Sequence, residues 1–213
     1  SITGKDVINL KKKYPGIPVV SYVNTTADVK AETDICCTSA NAVKVVESLG
    51  VNKVIFLPDE YLANYVASKT KVEIISWHGK CEVHEQFNEK DIRELRKNYP
   101  DLTIIAHPEC PPDVINASDF TGSTSHMVNY VKEKKPKNVF LVTECSMSDN
   151  IEIENPDVNF VKPCNICPHM KSINLQNILD CLKNKTNEIF INHDTIKRAR
   201  GSIERMIEIG RQD

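Results

Sequence analysis

The chain has 213 residues, of which 40% are hydrophobic and 26% are charged, a composition that excludes a disordered or collagen-like chain. The 27 basic and 29 acidic residues leave a net charge of −2, which provides no basic surface for nucleic acid. No apolar run approaches the roughly 18 residues of a membrane span, and the two common glycine-rich nucleotide loops do not occur.

Helices and short apolar strands alternate along the first part of the chain. Such strands are typical of a parallel sheet that is covered by helices on both faces. The predicted elements are a charged helix at Gly4–Lys13, a strand at 18–23, a helix that opens at 39–40, a strand at Lys53–Leu57, a helix at 59–68 and a strand at 72–76.

The same order of elements returns 85 residues later. Tyr14 corresponds to Tyr99 and Asp34 to Asp119, and the register holds without a gap for about 45 positions. The second set is a helix at Glu89–Asn98, a strand at 102–107, a helix that opens at 124–125, a strand at Asn138–Val142, a helix that starts near 145 and a strand at 158–161.

The repeat predicts an α/β fold of pseudo-symmetric three-layer αβα units with short parallel sheets. We place the first unit at 1–82 and the second at 83–167. A C-terminal segment at 168–213 follows, whose last strand-helix pair has no repeat of its own to join. The elements predicted in this segment are a helix at 175–183, a strand at 188–192 and an amphipathic helix at 194–210.

Polar residues follow the first strand of each unit, at the strand ends where parallel α/β sheets bind ligands. Tyr22 corresponds to His107, and Asn24 corresponds to Glu109. Helix starts are predicted downstream, where hydroxyls and free backbone N–H groups suit a carboxylate or a phosphate. Each feature alone is also compatible with a structural role, but together they predict one polar cavity between the units. The hydroxyl residues are Thr38, Ser39, Ser123 and Thr124.

Two of the eight cysteines occupy equivalent places in the two units. Cys81 follows the third strand of the first unit, and Cys167 follows that of the second. A third equivalent thiolate would lie a few positions upstream of Ser1. Three thiolates around a pseudo-threefold axis would hold a [4Fe-4S] cluster with one open iron, which acts as a Lewis acid.

Other uses of these thiols stay open at this point. A structural zinc site would join Cys81, Cys164 and Cys167 with His84 or His169. The Cys-x-x-Cys pair is also shared by redox motifs. Because a chain of this length buries a core without disulfides, the cysteine content favours a reducing, cytoplasmic compartment.

Several motifs, in order along essentially the whole chain, closely resemble the quinolinate synthase family. The resemblance implies condensation of iminoaspartate with dihydroxyacetone phosphate to quinolinate, the pyridine precursor of NAD. The motifs are Tyr22-Val23-Asn24-Thr25-Thr26-Ala27, Asp34-Ile35-Cys36-Cys37-Thr38-Ser39-Ala40-Asn41-Ala42, Gly79-Lys80-Cys81-Glu82-Val83-His84, His107-Pro108-Glu109-Cys110, Gly122-Ser123-Thr124 and the last cluster segment Cys164-Asn165-Ile166-Cys167-Pro168-His169-Met170.

The resemblance also implies roles for individual residues. Three αβα domains surround a [4Fe-4S] cluster, and Cys81 and Cys167 are two of its three ligands. The open iron binds substrate while Glu109 and His107 move protons and Tyr22 acts as an acid or orienting donor. The implied substrate-binding residues are Tyr22, Val23, Asn24, Ser39, His107, Pro108, Glu109, Ser123 and Thr124.

The family's first domain and the third cluster cysteine are expected ahead of Ser1, and segment 168–213 is expected to pack on that missing N-terminal domain. An aspartate oxidase or dehydrogenase is the expected source of the imine, and no nucleic acid or membrane partner is expected. Two alternatives remain: another [4Fe-4S] hydro-lyase that acts on a small hydroxy acid, and a zinc-stabilised scaffold module without catalysis.

Overall fold

A computed structural model describes residues 1–162 and 165–210 of the chain. Its first four-stranded sheet is parallel throughout and has the strand order β2-β1-β3-β4. The elements of this unit are α1 Gly4–Lys13, β1 Val19–Tyr22, α2 Ala27–Ala31, β2 Ile35–Cys37, α3 Ala42–Ser48, β3 Lys53–Leu57, α4 Glu60–Lys69 and β4 Glu73–Ser76.

The second sheet repeats this topology, with the parallel order β6-β5-β7-β8. A short 3₁₀ helix at His84–Gln86 links the two units. The elements of the second unit are α5 Glu89–Asn98, β5 Leu102–Ala106, α6 Pro112–Ala117, β6 Phe120–Thr121, α7 Thr124–Lys134, β7 Asn138–Val142, α8 Ser146–Glu154 and β8 Asn159–Phe160. The C-terminal helices are α9 Pro168–Lys171, α10 Leu175–Asn184 and α11 His193–Ile209.

The buried side chains of each strand alternate between two helical layers. Val20 and Phe56 pack with α3 and α4, whereas Val19 and Ile55 pack with α1 and α2. In the second sheet, alternate residues of β5 and β7 pack with α5 and α6 on one face and with α7 and α8 on the other. Because both faces are covered, the central strands are mostly apolar. The predicted three-layer α/β fold is therefore confirmed.

One aspartate contact recurs at the predicted offset. The Oδ2 atom of Asp34 accepts the backbone N–H of Val19 at 2.8 Å, and that of Asp119 accepts the N–H of Ile104 at 2.7 Å. Each carboxylate also pairs with a cation on the first helix of its unit, at 3.3 Å and 3.0 Å. These contacts satisfy an N–H of the central strand and hold the preceding helix against it.

The helix predicted to open at 39–40 begins later than expected. The Oδ1 atom of Asn41 accepts the backbone N–H of Thr38 at 2.7 Å and closes a turn over 38–41. The helix α3 therefore starts at Ala42. Ser39 lies in this turn and not at a helix N-terminus, so this part of the prediction was wrong.

The strand predicted at 188–192 does not form, although its residues have high strand propensity. A strand needs a neighbour that pairs with its backbone groups, and no described strand pairs with this segment. Its apolar side chains face solvent instead, with Ile189 82% and Phe190 83% exposed.

The two longer C-terminal helices have different surroundings. The helix α10 buries none of its residues, and Leu175 and Leu182 are exposed. The helix α11 packs against α2 and β2 of the first unit, where the hydroxyl of Ser202 lies 3.4 Å from the sulfur of Cys36. The packing of segment 168–213 on a further domain stays a prediction, and within this segment α11 also has a partner in the first unit. Among the described helices, none has the combination of length and apolar character that a membrane crossing requires.

The recurring aspartate contact leads to a stability prediction. Asp34→Ala and Asp119→Ala should each lower the free energy of unfolding by about 1–3 kcal/mol, because each leaves a strand N–H without its partner. Asp101→Ala, at an exposed turn, is the control and should change stability by less than about 0.5 kcal/mol. Urea titrations measure all three values. A loss for Asp119→Ala no larger than that of the control would contradict the assigned contact.

Candidate active site

A cavity of about 560 Å³ opens at the carboxyl ends of the first sheet. Tyr22 ends β1, Asn24 follows it, and Asp59 follows β3. The loop after β4 brings in Cys81, and Glu109 reaches the cavity from the end of β5 in the second sheet. Polar residues from the strand ends of both units therefore line one cavity.

Asp59 fixes the loop that carries Cys81. Its Oδ1 atom accepts the N–H of Leu62 at 2.6 Å and caps α4, and its Oδ2 atom accepts the N–H of Cys81 at 3.0 Å. Gly79 passes so close to the segment that follows β3 that a Cβ there would lie 2.5 Å from the carbonyl oxygen of Pro58. Glycine is therefore required at this approach, and the position of the Cys81 thiol is set by backbone contacts.

A buried cluster stands beside the cavity. The ligand atoms of Cys81, His84 and Glu109 all lie within 4.8 Å of one another. The Nδ1 atom of His84 is 3.1 Å from Oε2 of Glu109, and its Nε2 atom is 2.9 Å from the hydroxyl of Thr143. The ring of His107 stacks on that of His84, with 4.7 Å between centroids and 14° between planes.

The two stacked histidines differ in charge. Burial lowers the pKa of His107 to about 4, and its Nδ1 accepts the N–H of Glu109 at 3.4 Å, so the neutral ring carries its proton on Nε2. Burial acts in the same direction on His84, but its interactions with Cys81 and Glu109 dominate and raise its pKa to about 9. The Glu109 carboxyl has a lowered pKa because His84 and His107 outweigh the effect of burial.

The pKa values of the Tyr22 hydroxyl and the Asp59 carboxyl, both at the ends of strands of the first sheet, are raised, which favours their protonated forms. Burial, followed by the charge of Glu109, raises the pKa of Tyr22 well above its usual value, against a hydrogen bond with Ser39. The phenol therefore stays protonated and acts as a hydrogen-bond donor. Burial raises the pKa of Asp59 to about 6, although the N–H groups of Leu62 and Cys81 favour the carboxylate.

The structure brings together only part of the predicted substrate-binding set. Ser39 does not line the cavity, but it forms a hydrogen bond with Tyr22, which does. Ser123 is the N-cap of α7, its hydroxyl lies 3.1 Å from Nδ1 of His126, and Thr124 is exposed. The substrate-binding roles of all the residues in this set stay predictions. The predicted residues that do not line this cavity are Val23, Ser39, His107, Pro108, Ser123 and Thr124.

Cys167 lies near the Cys81 loop. Both side chains are half-buried and pack against the apolar layer formed with α5 and α6. The Nε2 atom of His169 is 3.0 Å from Oε1 of Glu82, so the residues after the two cysteines are in direct contact. Cys164, which the zinc alternative requires, lies outside the described residues.

The sequence patterns did not indicate the roles of three residues near the site. Asp59 and Thr143 were not singled out, although Asp59 lies two residues after β3 and Thr143 directly follows β7, at strand ends where ligand sites lie. His84 was considered only as a zinc ligand beside Cys164 and Cys167. Its contact with Glu109 depends on the 3₁₀ turn at His84–Gln86, which the spacing alone does not predict.

Comparison with known proteins agrees with the sequence motifs. The family model described as quinolinate synthetase A protein matches residues 1–208. The chain belongs to this family. Quinolinate synthase of Xylella fastidiosa (strain 9a5c) is 58% identical over 209 residues, which cover 98% of this chain and 62% of the relative.

Further quinolinate synthases show the same partial coverage. Quinolinate synthase 2 of Mesorhizobium japonicum is 55% identical and is covered to 64%, and quinolinate synthase of Agrobacterium fabrum is 56% identical and is covered to 61%. Each match includes 98% of this chain. The chain therefore spans about three-fifths of the length of the curated quinolinate synthases it matches.

The buried His107 generates a prediction on pH dependence. Its pKa is about 4 in the folded chain against an ordinary 6.5, so the unfolded chain binds more protons between these pH values. The free energy of unfolding contributed by His107 is therefore lost as pH falls from 6.5 to 4. His107→Asn should remove about 1–3 kcal/mol of this acid-side loss.

Urea titrations of the parent and the variant at several pH values measure that difference. Asp59 has the opposite effect on the pH dependence of the free energy of unfolding. It is present in both proteins, so its effect cancels in the difference between them. Parallel pH profiles of the two proteins would contradict a neutral, buried His107.

Proposed function

We propose that this chain supplies two of the three αβα units of a quinolinate synthase, which condenses iminoaspartate with dihydroxyacetone phosphate in NAD biosynthesis. The observation that carries the proposal is that Tyr22, Cys81 and Glu109 converge on one cavity from both units. Its volume of about 560 Å³ suits small metabolites. The match of 98% of the chain to quinolinate synthases supports the same reaction.

The cofactor we propose is a [4Fe-4S] cluster bound by Cys81 and Cys167, with the third cysteine in the missing unit. Both are free thiols beside one apolar layer, and the ion pair between Glu82 and His169 joins their segments. This donor set fits the cluster, because thiolates are its usual ligands and apolar surroundings limit its contact with water. When bound through three cysteines, the cluster presents one open iron that acts as a Lewis acid on a substrate oxygen or nitrogen.

Glu109 is the proposed proton acceptor. Its carboxylate stays ionised despite burial because it lies 3.1 Å from the Nδ1 atom of His84 and near His107. A carboxylate held in this way accepts a proton during dehydration and ring closure. The His107 ring is neutral, so it orients Glu109 through the backbone N–H contact and carries a proton on Nε2 for transfer.

Tyr22 and Asn24 are proposed to orient the dicarboxylic substrate. The Tyr22 phenol stays protonated at the cavity wall and donates a hydrogen bond to a substrate carboxylate. The exposed amide of Asn24 lies at the same wall and offers two N–H donors. Ser39 supports this arrangement through its hydrogen bond with Tyr22.

We propose that residues 168–192 pack on the third unit. The helix α10 has apolar residues that are exposed here, among them Leu175 and Leu182, and the unpaired segment after it is rich in Ile and Phe. Such a contiguous apolar surface is typical of an interface. The strand expected at 188–192 would form there if the third unit offers a sheet edge.

The substrates imply a metabolic neighbour and a compartment. Iminoaspartate forms when the amine of aspartate is oxidised, so an aspartate oxidase or dehydrogenase is the proposed supplier. The proposed location is the cytoplasm, where a reducing environment keeps the Cys81 and Cys167 thiols available to the cluster.

The catalytic proposal is tested in a chimera in which residues 1–213 replace the matching part of the Xylella fastidiosa enzyme. Glu109→Gln should lower the rate of quinolinate formation by about 100-fold or more, because an amide cannot accept the proton. Glu133→Gln, at an exposed residue of α7, is the matched control and should leave the rate unchanged. Chromatography of the quinolinate released under anaerobic conditions gives each rate.

Two outcomes would count against the proposal. Equal rates for Glu109→Gln and the control would exclude Glu109 as the proton acceptor. A folded chimera that binds the cluster but forms no quinolinate would contradict the proposed reaction itself.

The ligand assignment is tested separately by iron binding. After anaerobic reconstitution of the same chimera, Cys81→Ser and Cys167→Ser should each lose the cluster, because a hydroxyl replaces a required thiolate. Cys181→Ser should retain it, since that thiol lies on α10 and donates to the carbonyl of Thr186. Iron and sulfide per chain, together with visible absorption, give the result. A full iron content in Cys81→Ser would refute the assignment.

A further inference from the structure

We propose that Cys81, His84 and Glu109 form a binding site for a single divalent transition-metal ion of the Zn²⁺ type, distinct from the cluster. The sulfur, a ring nitrogen and a carboxylate oxygen of these residues all lie within 4.8 Å of one another. This site goes beyond the proposed function, because it requires neither the third unit, nor the cluster, nor turnover.

The spacing of the donor atoms is close to that of a tetrahedral site. Two bonds of about 2.0 Å at the tetrahedral angle place their donors about 3.3 Å apart. The Nδ1 atom of His84 and Oε2 of Glu109 are separated by 3.1 Å, and the Cys81 sulfur completes the group within 4.8 Å. Rotation of the Cys81 side chain would bring its sulfur to bonding distance of an ion held by the other two donors.

The Nδ1 atom of His84 is an independent pointer to a ligand. The residue is 94% buried, yet Nδ1 makes no well-aligned hydrogen bond to any described residue. A buried polar atom without such a partner is costly and calls for an ion or a water. Because Nδ1 lies beside Glu109 and Cys81, an ion placed among the three would displace the proton of the His84 ring to solvent and bind the freed lone pair.

His84 and Cys81 each have a hydrogen-bond partner of the kind that orients metal ligands from an outer coordination shell. The Nε2 atom of His84 is 2.9 Å from the hydroxyl of Thr143, which fixes the ring and leaves Nδ1 for the ion. The N–H of Cys81 is held by Asp59 at 3.0 Å. The ring of His84 and the backbone of Cys81 are therefore both held in place before an ion binds.

Charge and ligand type select the class of ion. A thiolate and a carboxylate carry two negative charges, which balance one divalent cation in a buried place. A sulfur donor with an imidazole favours Zn²⁺, Co²⁺ or Fe²⁺ over Mg²⁺ and Ca²⁺. Three protein ligands leave a fourth position, and the cavity that Cys81 and Glu109 line is the side open for water or a small anion.

The site has a consequence for the enzyme. Its ion would engage the Cys81 sulfur that the proposed cluster needs and the Glu109 carboxylate that the proposed reaction needs. Ion and cluster are therefore mutually exclusive occupants of Cys81. An excess of Zn²⁺ would hold the chain in a state without cluster and without a free proton acceptor.

The test uses the reduced, cluster-free 213-residue chain and Co²⁺ as the spectroscopic probe. One Co²⁺ per chain should bind with a sulfur-to-cobalt charge-transfer band and visible bands of tetrahedral intensity, and Zn²⁺ should displace it. Cys81→Ser should abolish the charge-transfer band. His84→Ala should weaken binding by about 100-fold or more, beyond the 10–100-fold effect of losing an outer-shell partner.

Two matched controls separate this site from other thiol sites. His78→Ala removes an exposed histidine three residues before Cys81, whereas His84 lies three residues after it. Cys167→Ser removes the other proposed cluster ligand. Both variants should bind Co²⁺ like the parent. Loss of the charge-transfer band in Cys167→Ser, or its full retention in His84→Ala, would overturn the proposal.

A second measurement guards against variants that fail to fold. Zn²⁺ should raise the thermal unfolding temperature of the parent and of His78→Ala, and it should not raise that of His84→Gln, which keeps a polar side chain of similar size. An equal rise in all three proteins would overturn the site. The result is independent of quinolinate formation, so failure here leaves the proposed enzyme activity to its own tests.

Discussion

The buried carboxylate of Glu109 is the constraint around which the rest of the site is arranged. A negative charge at this depth is costly unless cations and hydrogen bonds surround it. The fold meets this need with His84 from the linker between the units and His107 from the end of β5. The same charge helps to keep the Tyr22 phenol protonated across the cavity. The ionised carboxylate of Glu109 and the protonated phenol of Tyr22 thus face one cavity.

The repeated αβα unit explains why these groups meet. Each central strand is fixed by an aspartate that accepts its N–H, and each ends in polar residues at the same edge. Parallel strands place those ends together, so the second unit delivers Glu109 beside residues of the first. The exposed apolar residues of α10 and of the unpaired segment that follows form the surface proposed above to pack on a third unit.

Much of this architecture was predictable because it depends on local patterns of apolar and polar residues, and the same patterns occur in both units. The strands Lys53–Leu57 and Asn138–Val142 and the helices Gly4–Lys13 and Glu89–Asn98 form at the predicted residues. The turn closed by Asn41 was missed because it depends on one side-chain hydrogen bond, from the N–H of Thr38 to the amide oxygen of Asn41. A single contact of this kind leaves no periodic pattern in the sequence. The prediction of a strand at 188–192 was wrong because a strand forms only beside another strand, and local composition does not reveal whether one is present.

The site itself was predictable only in part. Tyr22, Asn24 and Glu109 follow strand ends and line the cavity, as the repeat indicated. The roles of Asp59 and Thr143 depend on tertiary contacts that bring them to Cys81 and His84, and no spacing along the chain encodes those contacts.

The central claim is that the two units present their cysteines and polar strand ends to one shared centre. An anaerobic crystal structure of the cluster-loaded chimera with a small dicarboxylate analogue tests it most directly. The account predicts that the sulfurs of Cys81 and Cys167 bind the same cluster, with the analogue between Tyr22 and Glu109. Sulfurs that face separate solvent regions, or an analogue bound away from Glu109, would contradict it.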